Sequence, residues 1–295
     1  MINDQDGNGP LIDREFFQSL AEVRSAGLLD FRSLELPNWC AGCGYYGLLH
    51  AFTRALADLR LDPDHLVVVS DYGCSGWLPF FMNCYGFQTA HGRAVPVAGG
   101  VKMTRPDLTV VAVSGDGGAL GAGLGHLAHA IRRNVAMCCL LLDNGRRGLM
   151  RGQASPATPT GEMTPMHPYG QSELPLNPLV LALDSGASFV ARGYAGDPDG
   201  LARVIREALG FRGFSLVVAV CPCVTFDHGR LTYEALRGKW AEIDAGHDPC
   251  NLQAALALAR SETWSRGIFY RQARPTWEDA QREIMAKALS VTGPA

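Results

Sequence analysis

The chain has 295 residues, 47% of them apolar, with 26 Lys plus Arg against 29 Asp plus Glu and a net charge of −3. This balance offers no basic field for a nucleic-acid backbone, and the composition is that of folded rather than disordered protein. The longest unbroken apolar stretch, 135–142, is far short of the ~20 residues of a membrane helix. The opening residues, MINDQDGNGPLIDREFF, carry no basic region ahead of an apolar core, so no secretory leader is expected. The expected location is cytoplasmic, with neither nucleic acid nor membrane as a partner.

In chain order, 1–36 is mixed and polar, with a weak helical stretch at 16–23, and is expected to be an arm closed by Pro37. Leu48, Leu49, Phe52, Leu56 and Leu59 recur at helical spacing, predicting an amphipathic helix over 45–60 directly after Gly42-Cys43-Gly44. Runs at 66–70, 108–114 and 136–143 are apolar without alternation, as in parallel strands covered on both faces. Helix-compatible segments at 94–103 and 125–133 fall between them, followed by strands at 188–191 and 215–221 around a helix at 198–209. Strands and helices in this alternation predict an α/β fold built on a doubly wound, mostly parallel sheet. The Pro-, Thr- and Gly-rich stretch 155–178 is too long for an ordinary connection and reads as a loop covering a site. Beyond about 225, helices at 251–260 and 277–289 flank a short strand at 268–270. The domain expectation is an arm (1–36), an α/β domain (37–224) and a C-terminal extension (225–295) packing on that domain or on a partner.

Ser114-Gly115-Asp116-Gly117 ends one predicted strand, and Asn144 follows after 26 intervening residues at the end of the next. In a parallel sheet both loops emerge on one edge. A carboxylate and an amide oxygen placed there suit an octahedral Mg²⁺ that keeps water and phosphate oxygens as its other ligands. This GDG-x₂₆-N spacing resembles the thiamin-diphosphate signature. The alternative is a tight turn in which Asp116 caps the following helix.

Nine cysteines stand at 40, 43, 74, 84, 138, 139, 221, 223 and 250. In a reducing compartment they are poor material for a disulfide framework, so some are expected to be ligands. Trp39-Cys40-Ala41-Gly42-Cys43-Gly44, Gly73-Cys74-Ser75-Gly76 and Cys221-Pro222-Cys223 can supply four thiolates to an iron–sulfur cluster or to zinc, and spacing alone does not choose. Cys138 and Cys139, inside an apolar run, read as core.

WCAGCG, SDYGCSG, TAHGRAVPVAGGVKMTRPDL, SGDGGALGAGLGHLAHAIRRN, DNGRRGLMRGQASPATPTG and CPCVTFD occur in that order. Together they resemble the β subunits of the 2-oxoacid:ferredoxin oxidoreductases over roughly residues 37–227, and GIFY with PTWED is similar to the two-subunit branch. The resemblance implies a thiamin-diphosphate-binding domain with Mg²⁺ and one [4Fe-4S] cluster on Cys40, Cys43, Cys74 and Cys223, leaving Cys221 as a strand-end core residue. It implies Asp116, Asn144 and the backbone carbonyl of Arg146 as magnesium ligands. Ala41, Gly42, Cys43, His91, Gly115, Asp116, Gly117, Gly118, Asn144 and Leu149 would lie along the cofactor. The implied reaction is oxidative decarboxylation of a 2-oxoacid to acyl-coenzyme A, with electrons leaving through the cluster to ferredoxin, reversible as CO₂ fixation. An α subunit would complete the site, in an αβ unit or a dimer of such units.

The chain departs from that family at several positions. Gly118 stands where the family usually carries a second acid, and Trp77 stands where 2-oxoglutarate-using relatives tend to place a basic residue. Arg146-Arg147 replace an aliphatic residue and a tyrosine, Met150 replaces threonine, and Arg151 replaces lysine. His91 and Arg147 are the candidate catalytic residues, with Arg147 taking an anionic substrate tail and Arg151 meeting a phosphate of coenzyme A. 2-Oxoglutarate is slightly favoured, with pyruvate or a broad 2-oxoacid range as the alternative. A different class of reading is a zinc-stabilised, non-catalytic interaction subunit using Cys40, Cys43, Cys221 and Cys223.

Overall fold

In the computed structural model, which describes residues 27–227 and 229–292, ten strands are formed. They are β1 (Leu66–Ser70), β2 (Tyr85–Gln88), β3 (Thr109–Gly115), β4 (Cys138–Asp143), β5 (Arg146–Arg147), β6 (Gln153–Ala154), β7 (Phe189–Tyr194), β8 (Ser215–Val220), β9 (Trp240–Glu242) and β10 (Trp264–Arg271). The α-helices are α1 (Gly44–Asp58), α2 (Ala94–Thr104), α3 (Leu124–Arg133), α4 (Pro178–Asp184), α5 (Pro198–Gly210), α6 (Tyr233–Leu236), α7 (Leu252–Arg260) and α8 (Trp277–Thr292). Eight strands form one sheet in the order β2-β1-β3-β4-β8-β7-β10-β9, while β5 and β6 pair as a separate hairpin. The first six are parallel; β10 joins β7 antiparallel and carries β9 parallel to itself.

The fold is the expected α/β, mostly parallel sheet with additional C-terminal strands and helices. Every residue of β1 and β8 is buried, the signature of strands sandwiched between helical layers. Alternate residues divide between two cores. Val68, Val111, Val113 and Leu140 pack with Leu48, Phe52 and Leu201 on one face, and Val69, Val110, Ala112 and Leu141 pack with Leu127, Ile131 and Leu179 on the other. Cys138 and Cys139 fall on opposite faces of β4 and fill one core each.

Local signals account for the boundaries. Asn177 caps α4 by accepting from the Leu179 and Val180 amides, with Pro178 opening the helix, and Asp197-Pro198 begin α5 in the same way. Asn134 ends α3 in the left-handed conformation, and its amide ties the helix end to Ser188, Phe214, Arg274 and Pro275. Several elements fall outside the periodicity reading, the β5–β6 hairpin, α6 and the three that follow among them. The three are β2 on the sheet edge, the 3₁₀ helix Cys74–Phe81, and α4, which begins where the long loop was expected to end. The short strand expected at 268–270 extends over Trp264–Arg271, and β9 was not expected. The weak helical stretch at 16–23 lies outside the described residues.

The topology brings four strand ends to one edge. β1 runs into Asp71, β3 into Asp116, β4 into Asp143-Asn144 and β8 into Cys221-Pro222-Cys223. Edges of this kind are where open α/β sheets bind ligands.

Candidate active site

Asp116 follows β3 and is 1% exposed. Its carboxylate accepts a hydrogen bond from the Ser155 hydroxyl and lies near the half-buried Asp143. Burial, with Asp143 second, pushes the Asp116 carboxyl up to about 8. Asn144 follows β4; its Oδ1 accepts from the Arg146 amide at 2.9 Å and its Nδ2 donates to the Tyr45 hydroxyl at 3.4 Å. A carboxylate, an amide oxygen and the adjacent backbone carbonyls form a hard, oxygen-only donor set of the kind magnesium takes. The buried carboxyl of Asp116 has no Lys, Arg or His within ion-pair distance among the described residues, so a divalent cation would supply the charge it lacks.

Gly115-Asp116-Gly117-Gly118 leads into a π-helical turn, Gly118–Ala122, and then α3. Side chains are excluded at positions 117 and 118 of this loop. A Cβ at Gly117 would stand 2.9 Å from Arg147 Cγ, and one at Gly118 would stand 1.7 Å from Asp71 Oδ2. The β5–β6 hairpin carries Arg147 across the loop. Arg147 Nε donates to the Ala154 carbonyl at 3.2 Å, and Nη1 lies 3.0 Å from His91 Nε2. A narrow cavity of about 40 Å³ remains, bounded by Tyr45, Ser75, His91, Asp116, Arg147 and Leu149.

The cysteines converge at the neighbouring corner. Cys40 is exposed, Cys43, Cys74 and Cys223 are half-buried, and each of Cys40, Cys74 and Cys223 raises the thiol pKa of Cys43 through its charge. Burial is the larger cause for Cys43, whose thiol is pushed up to about 12, and for Cys74, which is raised as well. The Trp39 indole donates to the Cys74 carbonyl at 2.9 Å, and the Gly44 amide to the Pro222 carbonyl at 3.0 Å, which ties the three cysteine segments together. Cys221 is 1% exposed and packs in the core. Among the described residues, no group of three or more His, Cys, Asp or Glu side chains is arranged to hold a metal ion.

The sequence-derived candidates therefore separate into groups. His91, Gly115, Asp116, Gly117, Gly118, Arg146, Arg147, Leu149 and Cys74 line the cavity. Asn144 lies beside it through Tyr45, while Ala41, Gly42, Cys43, Cys40 and Cys223 form the adjoining cysteine corner. Trp77 packs on Phe80 and Arg151 is exposed in the left-handed conformation, and neither lines the cavity. Arg146 is buried, pairs with Glu162, and has Asp227 at 3.9 Å.

Asp71, Ser155, Thr158, Glu162 and Asp227 were not singled out by sequence. Asp71 is fully buried and accepts from the Ser114 hydroxyl at 2.6 Å and the Gly92 amide at 2.7 Å. Its signal was available, since Asp71 follows a strand as Asp116 does. Ser155 and Thr158 begin the long loop and bind it down, Ser155 to Asp116 and Thr158 to the Gly145 carbonyl at 2.6 Å.

A parallel α/β sheet with a glycine loop and oxygen donors at adjacent strand ends defines a thiamin-diphosphate-binding domain. Residues 67–219 match the family model "Thiamine pyrophosphate enzyme, C-terminal TPP binding domain", and residues 223–286 match the model of the C-terminal part of the pyruvate ferredoxin oxidoreductase beta subunit. The chain is 38% identical over 257 residues to a Sulfolobus 2-oxoacid:ferredoxin oxidoreductase subunit beta, covering 82% of this chain and 84% of that one. It is 41% identical over 213 residues to the Mycobacterium tuberculosis 2-oxoglutarate oxidoreductase subunit KorB, covering 72% of this chain and 57% of that one. A solved 2-oxoglutarate:ferredoxin oxidoreductase from Magnetococcus marinus, with 2-oxoglutarate, coenzyme A and succinyl-CoA bound, superposes with a TM-score of 0.86 at 35% identity, covering 91% of this chain and 97% of that one. The chain belongs to the 2-oxoacid:ferredoxin oxidoreductase family as a β subunit, and it is an enzyme subunit. Among the described residues, no helix is long and apolar enough to cross a membrane.

Proposed function

We propose that this chain is the catalytic β subunit of a two-subunit oxidoreductase that converts a 2-oxoacid, with 2-oxoglutarate preferred, and coenzyme A into acyl-coenzyme A and CO₂. The reaction releases one proton and two electrons, which leave to ferredoxin. Names of relatives that act on 2-oxoglutarate support the substrate class. The observation that carries the preference is Arg147, a guanidinium held by His91 over the glycine loop at the cavity, where it can pair with a distal carboxylate.

Thiamin diphosphate supplies the electron sink for loss of CO₂. The chain's part is to hold it: the Gly115–Gly118 loop lets a diphosphate approach the backbone, and Asp116, Asn144 and the Arg146 carbonyl would hold Mg²⁺. Cys40, Cys43, Cys74 and Cys223 would hold one [4Fe-4S] cluster. Their thiols act on one another electrostatically without meeting at a single-ion site. Arg151, exposed on the loop after Arg147, is available to a coenzyme A phosphate. An α subunit, a cytoplasmic setting and ferredoxin as electron acceptor complete this reading.

The test is anaerobic purification of the co-expressed α and β subunits, with iron, sulfide, zinc and thiamin contents and the visible spectrum recorded before and after substrate with coenzyme A. Bleaching by 2-oxoglutarate more than by pyruvate is expected. Stoichiometric zinc without iron or thiamin diphosphate would overturn the reading in favour of a structural metal. Arg147→Ala should lower use of 2-oxoglutarate relative to pyruvate, and an unchanged ratio would remove Arg147 from substrate recognition.

A further inference from the structure

Arg147 is held in place by something, and the structure shows what. Its guanidinium can only donate hydrogen bonds, so His91 Nε2, 3.0 Å from Nη1, must be the unprotonated, accepting nitrogen. A neutral imidazole in that state carries its proton on Nδ1. That atom is buried, has no hydrogen-bond partner, and faces the carboxylate of Asp71, whose Oδ1 is 3.8 Å away.

Asp71 is itself immobilised. Tyr72 and Gly92 amides donate to its Oδ1 and the Ser114 hydroxyl donates to its Oδ2, at 2.6–2.7 Å, in a fully buried setting. Its Oδ2 also occupies the volume that any side chain at Gly118 would need, 1.7 Å from the Cβ position. Asp71 thus brings a carboxylate into the space beside the glycine loop where position 118 lacks the acid usual in the family.

We propose that Asp71 is a positioning residue that sets the tautomer of His91 and thereby holds Arg147 over the glycine loop for the substrate's distal carboxylate. The second half of this statement rests on the proposed substrate role of Arg147. A carboxylate beside Nδ1 favours the proton there and leaves Nε2 free to accept. Removing its charge lets the proton move to Nε2, where two donors then face each other and the Arg147 contact is lost.

The first measurement is ¹⁵N NMR of the histidine imidazoles in the co-expressed two-subunit enzyme, with the His91 signals assigned by their disappearance in H91N. In the unmodified enzyme the expected form is protonated at Nδ1, and D71N, which keeps the side chain's shape, should shift His91 toward protonation at Nε2. An Nε2-protonated His91 in the unmodified enzyme overturns the inference without any variant, and so does a tautomer that D71N leaves unchanged. The second measurement is KM for 2-oxoglutarate and for pyruvate in D71N, R147A and the double variant. D71N should raise KM for 2-oxoglutarate by about tenfold, the loss of roughly one hydrogen bond to a charged group, with a smaller change for pyruvate. It should add nothing once Arg147 is gone. Additive effects in the double variant overturn the positioning role. If R147A leaves the 2-oxoglutarate to pyruvate ratio unchanged while D71N shifts the tautomer, the substrate role of Arg147 fails and control of His91 by Asp71 stands.

Discussion

Gly148 lies against Cys74: a Cβ at position 148 would stand 3.3 Å from the Cys74 sulfur. The loop that carries Arg147 therefore touches the cysteine corner directly, and a cofactor bound on the glycine loop would be a neighbour of any cluster held there. Gly148→Val should push the Cys74 sulfur away. Iron content should fall, and the electron paramagnetic resonance signal of the reduced enzyme should change, while the glycine loop itself is untouched. An unchanged signal at full iron content would exclude Cys74 as a ligand sensitive to this contact.

Asp116 makes stability depend on pH. Its carboxyl is raised from 3.8 to about 8, first by burial and then by Asp143. Between those values the folded chain holds a proton that the unfolded chain has lost, so rising pH favours unfolding across that window. The metal-free chain should melt at a lower temperature near pH 8 than near pH 5. Mg²⁺ with thiamin diphosphate should restore more stability at the alkaline end, because the ionised carboxylate is the form that binds the cation. Thermal melts across the window, with and without both ligands, check this; an equal gain at every pH would contradict it.

Gly118 cannot accept a side chain while Asp71 is in place. Gly118→Ala puts its Cβ against Asp71 Oδ2 and 2.8 Å from the Ser114 hydroxyl. Overpacking of this kind costs about 1–3 kcal/mol. Combining it with Asp71→Gly, which clears the volume, should cost less than the two changes summed. Denaturant titration of the single and double variants measures this coupling.

Arg146 anchors the long loop from inside. It is 4% exposed at its side chain, pairs with Glu162, has Asp227 as a second anion at 3.9 Å, and leaves Nη1 without a partner. Glu162→Ala would leave the buried guanidinium only the more distant Asp227, at a cost of up to about 3 kcal/mol. Asp227 lies on the segment after Cys223, whose carbonyl accepts from the Asp227 amide at 3.1 Å. The loss should therefore appear both in global stability and as faster proteolysis within 155–178.

Much of the frame was legible in the chain order of residues. Unbroken apolar runs marked β1, β3, β4 and β8, because a strand covered on both faces has no solvent side to encode. Helical spacing marked α1, helix-compatible segments between strands marked α2, α3 and α5, and the glycine loop with Asn144 marked the strand edge where ligands bind. The ordered motifs pointed to the family. β2, the 3₁₀ helix Cys74–Phe81 and α4 escaped, since short segments carry too few residues to show a period.

How side chains distant in sequence meet is a matter for the folded chain alone. Asp71 reaches Gly118 and His91, Ser155 reaches Asp116, Glu162 reaches Arg146, and Gly148 touches Cys74. None of these pairs shares a helix or strand, so no periodicity relates them. Each arises because parallel strands deliver their C-terminal loops to one edge, where burial turns a polar side chain into a demand for a partner that local sequence does not name.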